Sequence, residues 1–478
     1  MTKAGKNCRI QTPRVREPRG SAKLFAFTPP VAHTPRPMKF TYQEISGSIV
    51  APRGFSAGAV FCDIKKLGTG KGSNKGPKRD LALIISETPA TVAGMFTTNQ
   101  ICAAPVKVCA ARVKRGVARA VVVNSGNANA CTGRQGMADA RAMTACVAEQ
   151  FGLREQEVFV GSTGRIGVIM PMANVRRGIV ATSRLVNASS ASADHVAEAI
   201  MTSDTHPKQV AIEFRLGGRT VRLGGVCKGA GMIQPGMSAT GARPAARALH
   251  ATMLCFITTD AAMEATALQA ALDTAVAQSF NRITVDGDMS TNDTVLVLAN
   301  GLAENAKFKV SSSEFKIFQA ALNHVCLELA KKIVRDGEGV TRFVTVRVHG
   351  ARNVAEADAA ARAVANSALV KTSWFGGDPN WGRIIDALGY SPAKIVEERV
   401  DIGYSAPGGK KILWSLKRGQ PTPATFKALC AAAAPKEFDL HIRLNLGSAS
   451  ALMYAADLTE EYVEFNKGDV TDPATLGG

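Results

Sequence analysis

From about residue 44 onward, short runs rich in β-branched residues alternate with longer alanine-rich stretches, which confines the chain to a mixed α/β architecture. No fixed-period repeat is present. The pattern predicts strands over 80–86, 118–124, 219–226, 294–300 and 340–348, each bounded by glycine or polar turn residues. It predicts helices over 136–150, 192–202, 263–279, 312–335 and 354–369. In the fourth helix Phe315, Phe318, Leu322, Cys326 and Leu329 recur every three or four residues, with Lys331 and Lys332 near its C-terminal end. That stripe reads as core, not as a cofactor box.

With 478 residues, 46% of them hydrophobic, the chain can bury a large core, and wholesale disorder is excluded. No run of 18 apolar residues is free of charge or polar interruption, so no helix is expected to span a membrane. Ten cysteines without a CxxC pair fit reduced, mostly buried thiols better than a disulfide framework, and no zinc signature accompanies them.

The net charge of +19 comes mainly from two places. Residues 1–40 hold nine bases and one acid, Glu17, and residues 65–79 hold six bases and no acid. Away from these the excess is small, and 6% aromatics leave little material for base stacking, so nucleic acid is not an expected partner. Residues 1–44 are set aside as a basic segment. Its composition suits a removable mitochondrial targeting region or a disordered tail, which leaves the matrix and the cytosol both open as locations. Residues 65–79 lack the GxxxxGK[ST] order of a phosphate loop and read as a solvated loop.

Small-residue runs mark the candidates for chemistry: NSGNANACTG (124–133), GSTGRIG (161–167), KGAGMIQPGM (228–237) and DGDMSTNDT (286–294). The last resembles the start of a calcium loop, but its sixth position is Thr291 and its twelfth Val297, where glycine and a bidentate acid are needed. The seven histidines show no metal spacing, and no metal or cofactor is expected. At 251–262 a small residue and a threonine, Ala251 and Thr252, precede the apolar run MLCFI. Cleavage between them would free an α-amino group within reach of the same residue's hydroxyl, giving a nucleophile that brings its own base. Taken alone, this pattern equally suits a plain strand start.

From residue 45 to 471 the sequence resembles the ornithine acetyltransferase (glutamate N-acetyltransferase, ArgJ type) family. The resemblance rests on KGAGMIQPGM, ATMLCFITTDA, NSGNANACTG, GSTGRIG, MTSDTHPKQVA, DGDMSTNDTVL, GEGVTR, ALVKTSWFGGDPNWGR and the final YVEFN. It implies a self-processing α/β fold of the DmpA/ArgJ kind, with an α chain over 45–251 and a β chain over 252–478. It implies Thr252 as nucleophile, Ala251 as the residue whose carbonyl is attacked in cleavage, and Thr163 with Gly164 as the oxyanion hole. Thr202, Lys228, Thr252, Glu338, Asn466 and Thr471 match the family's substrate-contacting positions. Lys228 is expected to hold a carboxylate and Glu338 the ornithine ammonium.

The implied reaction moves an acetyl group from N-acetylornithine to glutamate in arginine biosynthesis. Acetyl-CoA remains open as a further donor, and two copies of each chain are the implied assembly. Residues 238–250, SATGARPAARALH, interrupt the family pattern ahead of the nucleophile and introduce a rival Ala239–Thr240 pair. Thr252 is preferred because the apolar strand begins after it. The alternatives are an N-terminal-nucleophile aminopeptidase or hydrolase, and an inactive, unprocessed paralogue.

Overall fold

The computed structural model describes residues 40–65, 78–241 and 253–467. Two sheets organise it. The ten-stranded sheet runs Tyr42–Glu44, Lys208–Leu216, Arg219–Lys228, Leu254–Thr259, Thr294–Ala299, Leu81–Thr97, Val117–Asn127, Val158–Arg165, with Phe55–Val60 and Met237–Ser238 also paired to Leu81–Thr97. The second sheet has seven strands, with Phe343–Ala351 and Glu437–Arg443 parallel near its centre.

The strand Leu81–Thr97 changes partners along its length. On one edge residues 81–86 pair with 55–60 and residues 91–96 with 294–299; on the other, 81–85 pair with 120–124 and, past an irregularity, 90–91 pair with 117–118. Pro89 lies in that irregularity, where a missing N–H does no harm to the ladder. The sheet thereby folds over itself. The Phe256 ring comes so close to strand Val158–Arg165 that a Cβ at Gly161 would lie 2.9 Å from it.

Alternate residues of the same strands then feed different cores. Leu254, Phe256, Leu296 and Leu298 pack with Val121–Val123 and Val158–Val160 in one. Cys255, Ile257, Val295 and Val297 pack with helices Ala265–Gln278 and Ser313–Arg335 in the other. This period of two is what a strand covered on both faces requires. A third core joins the second sheet to helices Val354–Asn366 and Trp381–Gly389.

All five expected strands are present, and Leu81–Thr97 extends well beyond the expected 80–86. Phe318, Leu322, Cys326 and Leu329 of the long helix are fully buried, as their spacing predicted. Two expectations are corrected. The helix predicted over 354–369 is two helices, because the Ser367 hydroxyl accepts the Val370 N–H at 3.3 Å and caps a new helix, Ala368–Phe375. The basic segment placed at 1–44 ends earlier, since Tyr42–Glu44 is an edge strand and Tyr42 stacks on Phe40. Among the described residues no helix is long and apolar enough to cross a membrane.

Candidate active site

The strand Val158–Arg165 carries Thr163 and Gly164 beside the parallel strand Val117–Asn127, with Ser125 opposite Thr163 and Gly126 opposite Gly164. Asn127 pairs with both Thr163 and Arg165, a bulge that re-aims the strand end. At φ 127°, and with Gly126 so near that a Cβ would lie 2.4 Å from its carbonyl carbon, position 164 accepts glycine alone. Side-chain amides fix this corner. Asn292 Nδ2 donates to Ser162 O at 2.8 Å and Ala128 O at 2.7 Å, and Ser162 Oγ donates to Asn124 Oδ1 at 2.6 Å. Three of the four small-residue runs thus meet at one place.

Ala251 and Thr252 lie outside the described residues, but Met253, bonded to Thr252, is described. Its N–H donates to Asp293 Oδ1 at 2.5 Å, and its carbonyl accepts from Thr294 N at 3.0 Å. Asp293 is fully buried, and among the described residues its Oδ2 has no hydrogen-bond partner. Burial pushes its carboxyl well above the usual carboxylate range, against the opposing pull of the Met253 N–H and the Lys228 ammonium. The strand Leu254–Thr259 follows, with Leu254 directly across from Lys228.

Lys228 is 2% exposed. Its ammonium donates to Thr202 Oγ1 at 2.7 Å and stands 3.7 Å from Asp204. Thr202 is not the helix-end hydroxyl its sequence position suggests: the helix stops at Ala199, and Thr202 N donates to Asp204 Oδ2 at 3.0 Å in the following loop. Asp204 also accepts from Lys208 Nζ at 2.6 Å and Gly229 N at 2.7 Å. Burial alone would raise its carboxyl, but Lys208, Lys228 and the Gly229 N–H hold it well below the ordinary range. Lys208 bonds Asp336 as well, which brings the loop 336–339 against this cluster.

That loop carries Glu338. Its Oε2 accepts from Asn466 Nδ2 at 2.8 Å, so two residues 128 positions apart share one wall. A Cβ at Gly231 would lie 2.4 Å from the same oxygen, so the glycine of KGAGM leaves room for the carboxylate. Asn466 ends the helix Glu460–Asn466, which is docked through Thr459 Oγ1 to Gly339 O at 2.8 Å and through Tyr462 OH to Asp286 Oδ2 at 3.3 Å. Asp286 spends its oxygens on Met232 N and Ile233 N at 2.6 and 2.8 Å. Asp286 and Asp293 of the calcium-like run therefore brace backbone. Among the described residues no group of three or more His, Cys, Asp or Glu side chains could hold a metal ion.

Three clusters result: Thr163 with Gly164, Thr202 with Lys228, and Glu338 with Asn466. Thr471 lies outside the described residues, as does most of the interruption ahead of Thr252; of its thirteen residues, 238–241 are described, with Ser238 paired to Phe96. Sequence reading missed Asp293, Asp204 and Lys208. The signal was available in SDTHPK and in TNDT, but only the partners reveal what those charges do.

Comparison with known proteins gives the following. A model of the ArgJ family matches residues 62–469. The chain is 44% identical over 422 residues to the arginine biosynthesis bifunctional protein ArgJ of Symbiobacterium thermophilum, covering 88% of this chain and 98% of that protein. It is 43% identical over 427 residues to the glutamate N-acetyltransferase of Methanocaldococcus jannaschii, covering 88% and 98%. A crystal structure of the arginine biosynthesis bifunctional protein argJ from Bacillus halodurans is 37% identical and covers 42% of this chain and 100% of that one, with a TM-score of 0.38.

Proposed function

Because the chain belongs to the ArgJ family, we propose that it transfers the acetyl group of N-acetylornithine to glutamate through a threonyl ester on Thr252. The observation that carries this reading is that distant motifs reach the edge where the strand after Thr252 begins: Lys228, which holds Thr202, lies across from Leu254, and Asn292, beside the Asp293 that accepts the Met253 N–H, holds the carbonyl of Ser162 next to Thr163.

Cleavage between Ala251 and Thr252 frees the Thr252 α-amine, which takes the proton from its own hydroxyl as the oxygen attacks the acetyl carbonyl. Thr163 and the Gly164 N–H receive the oxyanion. Collapse breaks the amide bond, the proton passes to the departing nitrogen, and ornithine leaves. The glutamate α-amine then attacks the ester, gives up a proton, and restores the threonine hydroxyl. Lys228 answers a substrate carboxylate and Glu338, with Asn466, the ornithine ammonium; Thr202 and Thr471 complete the contacts. No cofactor is required. We assign two copies of each chain to the assembly and a mitochondrial address to the basic residues ahead of the strand Tyr42–Glu44.

Intact-mass measurement tests the mechanism. A fragment beginning TMLCF that becomes one acetyl group heavier with N-acetylornithine, and loses it with glutamate, supports it. A fragment beginning TGARP moves the nucleophile to Thr240, and an uncut yet active chain overturns the scheme.

A second donor is supported by the word bifunctional in the name of the Symbiobacterium relative. Incubation with acetyl-CoA and glutamate reads it directly. Ornithine release without glutamate would instead mark a hydrolase.

A further inference from the structure

Lys65 ends a short turn whose backbone is gripped by a buried acid. Asp80 accepts from Cys62 N, Ile64 N and Lys65 N at 2.7, 2.7 and 3.0 Å, and the Asp80 carbonyl accepts from Ser125 N at 2.9 Å. A Cβ at Gly126 would lie 2.8 Å from Lys65 N, and Gly126 in turn touches Gly164. Lys65, Gly126 and Gly164 are therefore stacked with no side chain between them. Ser125 Oγ also donates to the Ala199 carbonyl, three residues before Thr202. The turn bearing Lys65 is built into the same corner as Thr163, Gly164 and Thr202.

The half-buried Lys65 ammonium donates to the Arg79 carbonyl at 3.2 Å, and among the described residues no carboxylate pairs with it. The charges facing it are Asp80, Asp204, Lys78 and Lys228. Asp80 is occupied by three backbone N–H groups, and Asp204 is shared between Lys208 and Lys228. The turn bearing Lys65 and the Thr202 that holds Lys228 thus border the same corner, near enough for the Lys228 charge to be felt at Lys65, and the carboxylates around them are already engaged. The chemistry brings a further anion there. Acetyl arrives on an α-nitrogen and departs on one, so a carboxylate always sits one carbon away from the nitrogen beside the oxyanion strand.

We propose that Lys65 and Lys228 together form the α-carboxylate subsite, so that Lys65 is a binding residue for both N-acetylornithine and glutamate. This rests on the acetyl-transfer reading. Two ammonium groups suit a carboxylate whose carbon must stay aligned while its neighbour reacts, each acting as a compact point charge.

Calorimetric binding of glutamate to Lys65→Met and Lys65→Arg tests it. Loss of a charge-assisted contact should weaken binding about tenfold in Lys65→Met. The preference of the wild-type protein for glutamate over its α-amide should fall by the same factor, and Lys65→Arg should keep most of both. Binding of glutamate unchanged in Lys65→Met, or an equal loss for glutamate and the amide, overturns the proposal. If Lys65→Met does not fold, pH carries the test. Burial first, then Lys78 and Lys228, lower the Lys65 ammonium to about 8 against the opposing pull of Asp80 and Asp204. Wild-type binding should weaken as pH passes that value, and Lys65→Arg should hold its binding to higher pH; identical profiles overturn the proposal. Binding requires no turnover, so a protein that binds glutamate through Lys65 but never acetylates Thr252 would sink the transfer reading and leave this one standing.

Discussion

Asp293 accepts the Met253 N–H at 2.5 Å, tying the residue that follows Thr252 to the start of the neighbouring strand. The bond joins two motifs 40 positions apart and does so in a fully buried place. Removing the acceptor leaves an amide with no water to turn to. Asp293→Ala is expected to lose about 1–3 kcal/mol of stability, measured by urea midpoint, whereas Asp293→Asn keeps an acceptor and should lose less. Equal midpoints for Asp293→Ala and wild type would remove the bond from the list of structural supports.

Thr163 and Gly164 should separate catalysis from folding. Thr163→Ala removes one of the two proposed oxyanion donors and should slow acetyl transfer by about 10²–10³-fold at unchanged melting temperature. Gly164→Ala must place a methyl group against the Gly126 backbone at a φ of 127°, so it should lose both activity and stability. Steady-state kinetics beside a thermal melt distinguish the two; equal melting losses would mean that Thr163 is a structural residue.

Glu338 is expected to read the ornithine ammonium. Glu338→Gln should raise KM for N-acetylornithine about tenfold and leave KM for glutamate within threefold or lower it. Gly231→Ala should mimic it in part, since the new methyl group would crowd the same carboxylate oxygen. A variant whose two Michaelis constants rise together would assign Glu338 to general site structure.

Acid should weaken the second sheet at His441. Its Nε2 lies 2.9 Å from Ser405 Oγ, and burial lowers the imidazole from 6.5 to about 4, with Arg347, His349 and Arg443 helping and Asp439 opposing. A histidine whose folded value is depressed binds its proton more readily when unfolded. Its contribution is thus complete above pH 6.5 and is lost as pH falls through about 4. His441→Gln, which can still bond Ser405 but cannot be charged, should show a shallower loss of urea midpoint across that window. An unchanged slope would place the acid sensitivity elsewhere.

Much of this was legible in the letters because it is periodic or local. The stripe Phe318, Leu322, Cys326 and Leu329 announces a buried helix, and MLCFI after Thr252 announces the strand that appears as Leu254–Thr259. The motifs of the family resemblance also named the residues that form pairs, Lys228 with Thr202 and Glu338 with Asn466. What stayed hidden depends on contacts between distant segments. Asp293 reads as one more acid in a polar run until Met253 is placed on it. Lys65 reads as one base among six in a solvated loop until Asp80 and Gly126 draw its turn inward. The break at Ser367 was missed because alanine-rich sequence continues helically on both sides of a residue that happens to cap.

The strand order of the large sheet bears on what the proposed cut leaves behind. Leu254–Thr259 and Thr294–Ala299 are flanked on one side by Arg219–Lys228 and on the other by Leu81–Thr97. Severing the chain before Thr252 would therefore yield two polypeptides woven through one another, each lacking the middle or the margins of a common ladder. Neither could close its edges by itself. Supplied from separate genes, they would have to meet while still unfolded; made as one precursor, they need never search for each other.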